Sequence, residues 1–398
     1  MRALDTRQRR PSSSRRWGEE DDLDARFMTL SDAETAAMQR AIELARNGEG
    51  LVEPNPMVGA VVLDASGTMI AEGWHARFGG PHAEVAALAA AGPAARGNTL
   101  VVTLEPCCHH GKTPPCTDAI LAAGIRRVVV GAGDPASHGA GHGIVRLHDA
   151  GVDVAVAEAA LKEQAERLIA PFAMLTINHR PWVIAKWAMT LDGHVATASG
   201  ESRWISCEAS RRVVHRLRAR VDAILVGIGT ALADDPLLTA RPPGPRPLLR
   251  IVVDSHARLP LAGRLATSAR EHPTLIAVGP AAAEDRIHLL QEAGCEVWQA
   301  SKTEPGGRLA ELLSELGRRR LTHLLVEGGP TMLGGFFDAG LVDEVQAFVA
   351  PKIIGGQNAP AAVSGQGIGR MENAPRLSIE SIESLGGDCF IRGLVART

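Results

Sequence analysis

The chain has 398 residues, which is too long for one ordinary hydrophobic core and predicts two domains. Its apolar fraction of 45% and charged fraction of 22% are typical of a soluble globular protein. The net charge of -3 gives no electrostatic reason to expect nucleic acid as a partner. No apolar run reaches the roughly 18 to 20 residues that a membrane span needs.

The first 29 residues contain little that could form a core. An Arg/Ser-rich stretch at residues 7–16 precedes an acidic run at 19–24. A transit peptide can begin in the same way, but the acidic run and the lack of an apolar face favour a disordered tail over residues 1–29.

The six cysteines are unevenly spaced, which favours metal binding in a reducing compartment over a disulfide framework. We therefore expect a cytoplasmic protein.

The segments that follow predict a layered α/β sheet. Ser31 and Glu34 form a capping box at the start of a predicted helix. The Pro-Asn-Pro sequence at 54–56 is a rigid turn, and apolar residues at 58–63 and 70–74 predict two strands. Further strands and helices alternate as far as residue 169, where the last predicted helix of this half (159–169) ends, and this alternation is typical of α/β folds.

A histidine, a carboxylate and two cysteines indicate a catalytic zinc site. His82 and Glu84 lie at the start of a predicted helix (83–91), Cys107 follows a predicted buried strand (98–104), and Cys116 begins another helix. One imidazole and two thiolates leave the fourth tetrahedral position of zinc to water. Zinc makes such a water nucleophilic, and Glu84 could carry its proton to a leaving amine. His-x-Glu followed by Pro-Cys is the order found in zinc nucleobase deaminases.

The spacing of the cysteines leaves other ligand sets open. Cys107 and Cys116 are nine positions apart, with Cys108, His109 and His110 between them, whereas the usual deaminase pattern has two residues between its cysteines. We favour Cys107 and Cys116 because each follows a proline and the second begins an apolar helix. Cys108 is then a packed residue, and the two histidines contact substrate or solvent.

These motifs resemble a known family. His82-Ala-Glu84, Thr103-Leu-Glu-Pro-Cys107 and the His-His-Gly-Lys-Thr-Pro-Pro-Cys116 extension are similar to the bifunctional riboflavin-biosynthesis deaminase/reductases, and the resemblance extends from about Ser31 onward. Members of that family fuse a zinc pyrimidine deaminase to an NADPH-dependent reductase. The resemblance therefore implies zinc and NADPH as cofactors.

In the deaminase half, the resemblance also implies substrate-binding residues. Asn55 matches an asparagine that touches the pyrimidine, His75 could line the same pocket, and Lys112 is the expected phosphate contact. Without the resemblance, Asn55 is equally well explained as a turn residue and His75 as a surface histidine.

One loop departs from the family pattern. Ala136, Ser137 and His142 stand in the segment 134–143 where the family usually has an asparagine, a proline and a basic residue. The resemblance places this loop near the ribose phosphate of the substrate. The affinity of the deaminase half for its substrate is therefore in question.

The C-terminal half begins at a predicted domain junction, residues 178–181, where a polar turn ends in a proline. We predict a helix at 207–220 and a loop at 230–241, which carries two carboxylates and an arginine. Apolar runs predict strands at 182–189, 222–230, 250–254, 274–278 and 323–327.

Glycines between Val326 and Gly335 come after a predicted strand, where backbone N–H groups at a helix start can approach a phosphate. Such a turn is most often a tight connection, and this one lacks the Rossmann pattern, so the sequence does not predict that fold. The resemblance instead implies a dihydrofolate-reductase-like domain. Its cofactor-binding residues would be Ala188, Trp204, Thr230, Asp234, Gly329, Pro330, Thr331, Met332, Leu333, Gly334 and Gly335.

The resemblance also implies a substrate site in the reductase half. Its residues would be Ser202, Arg218, Leu238, Arg241 and Glu327. The two arginines suit a ribose 5-phosphate through bidentate contacts, although without the resemblance a surface charge is the default role of an arginine.

The sequence thus predicts an N-terminal cytidine-deaminase-like αβα domain over residues 30–176 and a C-terminal dihydrofolate-reductase-like α/β domain over 180–398. The expected activity is deamination of a phosphoribosylamino-diaminopyrimidinone, followed by NADPH reduction of its ribosyl group to ribityl. We expect a small-molecule substrate, no nucleic-acid or membrane partner, and a homo-oligomer, either dimer or tetramer. Three alternatives are a reductase with an impaired deaminase, another zinc nucleobase or nucleoside deaminase with an unrelated C-terminal domain, and a zinc-stabilised binding protein.

Overall fold

The structure is a computed structural model that describes residues 30–110, 114–136 and 139–396. The predicted tail (1–29), Lys112 and Ser137 lie outside the described residues. Within them the chain folds around two β-sheets, one of five strands and one of nine.

The five-stranded sheet belongs to the N-terminal half and has the strand order β2-β1-β3-β4-β5. The strands are β1 (Gly59–Leu63), β2 (Met69–Trp74), β3 (Thr99–Leu104), β4 (Arg127–Ala132) and β5 (Asp153–Val156). β1 is antiparallel to β2 and β3, whereas β3, β4 and β5 are parallel to one another. Every residue of β3 and β4 is buried, as expected for central parallel strands with continuous apolar runs.

Helices cover both faces of this sheet. They are α1 (Asp32–Ala45), α2 (Ala83–Ala91), α3 (Cys116–Ala123), α4 (His142–Asp149) and α5 (Ala159–Asn178). α1 packs on β1 and beside α5, whereas α2 packs on β2 and contacts α3. The predicted αβα architecture is therefore confirmed. The predicted capping box is present as well, since the Glu34 N–H donates to Ser31 Oγ at 3.2 Å and the Ser31 N–H donates to Glu34 Oε2 at 2.9 Å.

The last helix of this half is longer than the sequence predicts. The predicted helix ended at residue 169, but α5 continues through Pro171 to Asn178. Leu168, Ile169 and Met174 are all buried, so the apolar face of the helix continues beyond the proline. Tertiary packing on that face outweighs the loss of one backbone hydrogen bond at Pro171.

The nine-stranded sheet has the order β10-β9-β8-β7-β11-β6-β12-β14-β13. All pairs from β10 to β12 are parallel, and β14 is antiparallel to both of its neighbours. The strands are β6 (Trp182–Thr190), β7 (Ala223–Gly227), β8 (Leu249–Val253), β9 (Thr274–Val278), β10 (Glu296–Gln299), β11 (His323–Val326), β12 (Glu344–Ala350), β13 (Leu377–Leu385) and β14 (Asp388–Val395).

One helix of this half, α7 (Ile228–Asp234), lies where the sequence predicted the end of a strand and the start of a loop. The helices of this half are α6 (Glu208–Arg220), α7, α8 (Arg264–Thr267), α9 (Glu284–Glu292), α10 (Pro305–Arg318) and α11 (Pro330–Asp338). The strand predicted at 222–230 ends at Gly227, and α7 occupies the start of the predicted loop 230–241. Ile228 and Ala231 lie one helical turn apart and are both buried, and this packing favours a helix despite Gly229.

Polar contacts join the two halves. Arg180, at the start of the C-terminal half, makes a bidentate ion pair with Asp343 of the same half, with N–O distances of 2.7 and 2.8 Å, and this pair anchors the junction. Arg246 donates to the carbonyl oxygen of Gly50 at 3.0 Å and lies 3.3 Å from the Glu53 carboxylate. No helix within residues 30–110, 114–136 and 139–396 is long and apolar enough to cross a lipid bilayer.

Candidate active sites

The three predicted zinc ligands lie together. His82 is the N-cap residue of α2, Cys107 comes shortly after β3, and Cys116 is the first residue of α3. Nδ1 of His82 lies 3.1 Å from Sγ of Cys116 and 3.7 Å from Sγ of Cys107, and the three donor atoms lie within 4.8 Å of one another. A tetrahedral zinc site with these ligands has donor–donor distances of about 3.5 Å. The donor set therefore fits a zinc ion in both chemistry and size.

Hydrogen bonds couple the protonation of the three donor groups. Hydrogen bonds from Cys116 and His82 lower the pKa of Cys107 to about 4, although burial opposes the shift. The pKa of Cys116 is raised because its thiol donates to Cys107 and is buried. The hydrogen bond with Cys107 raises the pKa of His82. Metal binding requires thiolates and a neutral imidazole, so a zinc ion that binds here would displace the protons of Cys116 and His82.

Glu84 lies beside the cluster in the first turn of α2. Its side chain is buried, and the three-residue donor group does not include it. Burial raises the pKa of its carboxyl group, which also hydrogen-bonds the side chain of Cys116. The residue therefore lies next to the metal-binding atoms without being one of them, which is the position that a proton carrier needs.

A cavity of about 880 Å³ contains His82, Glu84 and Cys107, and Asn55 and His75 form part of its wall. His75 is only 2% exposed, so it is not a surface histidine. Burial lowers the pKa of His75 and favours its neutral form. Its Nδ1 lies 2.9 Å from the Pro81 carbonyl oxygen, and its Nε2 lies 3.3 Å from Asn55 Nδ2. A neutral ring that donates from Nδ1 and accepts at Nε2 would hold the Asn55 amide in one orientation.

Sequence reasoning missed Glu105. Its buried carboxylate accepts four backbone hydrogen bonds, from Asp134 (3.1 Å), Gly141 (3.0 Å), Gly143 (2.9 Å) and Ile144 (3.2 Å). These bonds tie the loop of unusual sequence to the segment that carries Cys107. The sequence could have indicated its role, because Glu105 is a carboxylate directly before Pro106-Cys107 at the end of a buried strand.

The residues between the two cysteines are spread around the cavity. His109 is part of the wall, whereas Cys108 and His110 are not. Ala136 and Asp134 line the same cavity, which places the described part of the unusual loop next to the zinc cluster. The assignment of Lys112 to the substrate remains a prediction.

A second cavity, of about 1460 Å³, lies in the C-terminal half. All of the predicted cofactor and substrate residues of this half line it except Gly334. A Cβ atom on Gly334 would lie 1.7 Å from the carbonyl oxygen of Ser364. The missing side chain therefore lets α11 pack against that segment, and a direct contact of Gly334 with the cofactor remains a prediction.

Glu327 is the centre of a charged cluster in this cavity. Arg218 donates to its two carboxylate oxygens at 2.7 and 2.9 Å, and Lys186 Nζ lies 3.4 Å from the second. Burial would raise the pKa of Glu327, but the two cations outweigh it and lower the pKa to about 2. The sequence did not single out Lys186. Because Arg218 already binds Glu327 through two of its nitrogens, its predicted phosphate contact could use only the N–H groups that remain.

The start of α11 faces the same cavity. Gly329 is the N-cap residue, and its N–H donates to Thr230 Oγ1 at 2.9 Å. Thr230 on α7 thus fixes the Gly-rich turn after β11. The positive end of the dipole of α11 points to this region, where it would favour an anionic group such as a cofactor phosphate.

Family models match both halves of the chain. Residues 31–132 match the "cytidine and deoxycytidylate deaminase zinc-binding region", and residues 181–391 match the "RibD C-terminal domain". The second match covers more than half of the chain.

Curated relatives match most of this chain over nearly their whole length. The riboflavin biosynthesis protein RibD of Actinobacillus pleuropneumoniae is 39% identical over 92% of this chain and 96% of its own. The RibD of Escherichia coli is 38% identical over 88% of this chain and 96% of its own.

Two solved structures are similar over nearly the same extent. Acinetobacter baumannii RibD has a TM-score of 0.77 at 32% identity, covering 92% of this chain and 99% of the other. A Thermotoga maritima diaminohydroxyphosphoribosylaminopyrimidine deaminase/5-amino-6-(5-phosphoribosylamino)uracil reductase has a TM-score of 0.76 at 34% identity, with the same coverage.

Proposed function

This chain belongs to the RibD family of riboflavin-biosynthesis deaminase/reductases, and we propose that it carries out both reactions on one pyrimidine ribose phosphate. The first reaction is a hydrolysis: water replaces one ring amino group of the diaminopyrimidinone by oxygen, and ammonia is released. The second uses NADPH to reduce the ribosylamino group to a ribitylamino group. An unrelated C-terminal domain is excluded, because residues 181–391 match the RibD C-terminal domain.

The observation that carries the proposal is the cluster of His82, Cys107 and Cys116 beside the buried Glu84, at a cavity that His82, Glu84 and Cys107 line. These three side chains would hold a zinc ion, which when bound lowers the pKa of a water molecule and makes it a nucleophile. Glu84 would take a proton from the water and deliver it to the departing amine. This arrangement supports an active deaminase over an impaired one.

Asn55 and His75 would orient the pyrimidine in that cavity. The hydrogen bond between them uses the amide nitrogen of Asn55, so the amide oxygen remains as an acceptor for a ring N–H or amino group.

In the C-terminal cavity, NADPH would supply the hydride for the anomeric carbon. The turn at 329–335, Thr230, Asp234, Trp204 and Ala188 would bind the cofactor. Ser202, Leu238 and Arg241 would position the phosphorylated substrate. Glu327, which Arg218 and Lys186 keep ionised, would accept hydrogen bonds from ribose hydroxyl groups.

We also propose that the protein is a cytoplasmic homo-oligomer, either a dimer or a tetramer. The cytoplasm supplies NADPH and keeps thiols reduced. Ile379 and Ile382 on the edge strand β13 are 50% and 65% exposed, and a second copy of the chain could cover them. Light scattering coupled to size-exclusion chromatography tests this; a monomer at micromolar concentration would contradict the proposal.

A coupled assay tests the two-step function. The purified chain is given the diaminopyrimidine phosphate, and ammonia and NADPH are followed separately. Ammonia should appear without NADPH, and NADPH should be oxidised only after deamination or when the deaminated pyrimidine is supplied. Oxidation of NADPH by dihydrofolate, or the absence of ammonia, would contradict the proposal.

A further inference from the structure

The deaminase cavity is closed partly by the C-terminal half of the chain. Gly317 and Arg320, which lie at and just beyond the end of α10, form part of its wall together with Glu84 and Cys107. Arg320 is the one arginine or lysine among the described residues of that wall. The substrate proposed above carries a phosphate, and a guanidinium at the wall of the cavity can form charge-assisted hydrogen bonds with it, in addition to the contact predicted for Lys112.

The backbone around Arg320 is held firmly. The Arg320 N–H donates to the carbonyl oxygen of Gly317 at 2.8 Å, and Arg320 adopts a φ of 60°. A Cβ atom on Gly317 would lie 1.9 Å from the carbonyl oxygen of His179. The end of α10 is therefore pressed against the junction between the two halves, and this contact fixes the position from which the arginine extends.

A polar network connects this segment to the other side of the cavity. The carboxylate of Asp222 accepts the backbone N–H of Thr322 at 2.9 Å and pairs with Arg246. Arg246 in turn lies 3.3 Å from the carboxylate of Glu53, the residue that precedes Pro54 and the substrate-binding candidate Asn55. The C-terminal half thus supports two parts of the deaminase wall.

The guanidinium of Arg320 is available for a ligand. Arg319, its neighbour, is bound to Glu315 and Glu296 at 2.8 and 2.9 Å, and Arg318 pairs with Glu315. Arg320 is exposed and makes no side-chain hydrogen bond or ion pair with any described residue. An unpaired arginine at a cavity that must accept an anion differs from the paired surface arginines around it.

We propose that Arg320, from the reductase half, binds the phosphate group of the substrate in the deaminase site. The proposal rests on the proposed deaminase function and deepens it. The deaminase cavity would then be complete only when the C-terminal half is present.

The test compares ammonia release by wild type, Arg320→Ala and Arg320→Lys in the full chain. Two substrates are used: the diaminopyrimidine phosphate and the same compound without its phosphate. Arg320→Ala should raise KM for the phosphorylated compound about 10- to 100-fold, the range expected for one charge-assisted contact. It should leave kcat within about twofold and should not change KM for the dephosphorylated compound. Arg320→Lys should restore part of the loss.

Arg318→Ala is the matched control, since Arg318 is a neighbouring arginine whose side chain is exposed and pairs with Glu315. NADPH oxidation with the deaminated substrate reports whether each variant is folded. An unchanged KM in Arg320→Ala, or an equal rise with both substrates, would overturn the proposal. Failure of the deaminase function itself would be distinguishable, because wild type would then release no ammonia from either compound.

Discussion

Sγ of Cys116 lies 3.1 Å from Nδ1 of His82, although the two residues are 34 positions apart in the chain. The contact exists because α2 and α3 pack against each other, and the two residues lie at the N-termini of these helices. Cys107, on the segment after β3, completes the group. Three separate elements thus position three donor atoms, and the metal site depends on the whole N-terminal fold.

Cys116→Ser should lose the metal. A serine hydroxyl is a much poorer zinc ligand than a thiolate, so the zinc content should fall from about one ion per chain to near zero. Elemental analysis of the purified variant measures this. Cys108→Ser is the control, because Cys108 lies outside the donor group and its loss should leave zinc in place. If Cys116→Ser keeps its zinc and Cys108→Ser loses it, Cys108 is the ligand instead of Cys116.

Glu105→Ala should destabilise the protein by on the order of 3 kcal/mol, because four backbone N–H groups lose a charged acceptor. It should also raise KM for deamination, since the loop that carries Asp134 lines the cavity. Urea unfolding and ammonia release measure the two effects. Asp149→Ala on the exposed end of α4 is the control and should be nearly neutral. Wild-type stability in Glu105→Ala would contradict this role.

The stability that Glu327 contributes should be lost at acidic pH. Its pKa is about 2 in the folded protein against an ordinary value of 4.5. The folded state therefore binds this proton less readily than the unfolded chain. The contribution of the carboxylate is complete above pH 4.5 and is lost as the pH falls towards 2. Reductase activity should accordingly show no loss from protonation of Glu327 between about pH 5 and 8.

Arg218→Met should change the pH dependence of the reductase activity. Removing the bidentate partner should raise the pKa of Glu327, so the acidic limb of kcat/KM for NADPH oxidation should move to higher pH. Breaking a buried pair should also cost about 3 to 5 kcal/mol of stability. Arg216→Met, an exposed arginine on the same helix, is the control. An acidic limb that does not move would show that Arg218 does not control Glu327.

Replacing either of two adjacent glycines in α11 by alanine should have different effects on the stability of the protein. Gly334→Ala places a Cβ 1.7 Å from the Ser364 carbonyl oxygen, whereas in Gly335→Ala the nearest atom is Leu309 Cδ1 at 3.4 Å. The first variant should lose several kcal/mol of stability, and the second should be neutral or slightly stabilised, because alanine favours helices. Thermal unfolding compares them. Equal melting temperatures would contradict the close packing of α11.

The sequence predicted features that depend on neighbouring residues. The capping box at Ser31, the helix that begins at Cys116 and the buried strand before Cys107 follow from local patterns, and the structure has all of them. The resemblance then supplied the cofactors and the two reactions. These predictions succeed because hydrophobic periodicity and motif order are properties of the sequence itself.

Other features depend on tertiary contacts that no local pattern records. α5 continues past Pro171 and α7 forms despite Gly229, because each buries apolar side chains against the rest of the fold. Glu105 and Lys186 acquire their partners from segments that are distant in sequence. Arg320 reaches the deaminase cavity only because the two halves of the chain pack together.

The most direct test of the central claim is Glu84→Gln, measured for both zinc content and ammonia release. Glutamine preserves the size of the side chain and leaves His82, Cys107 and Cys116 unchanged, but it cannot carry the proton. We predict that zinc stays at about one ion per chain and that ammonia release falls at least 100-fold, while the reductase still oxidises NADPH with the deaminated substrate. Ammonia release close to the wild-type rate, with zinc bound, would contradict the account.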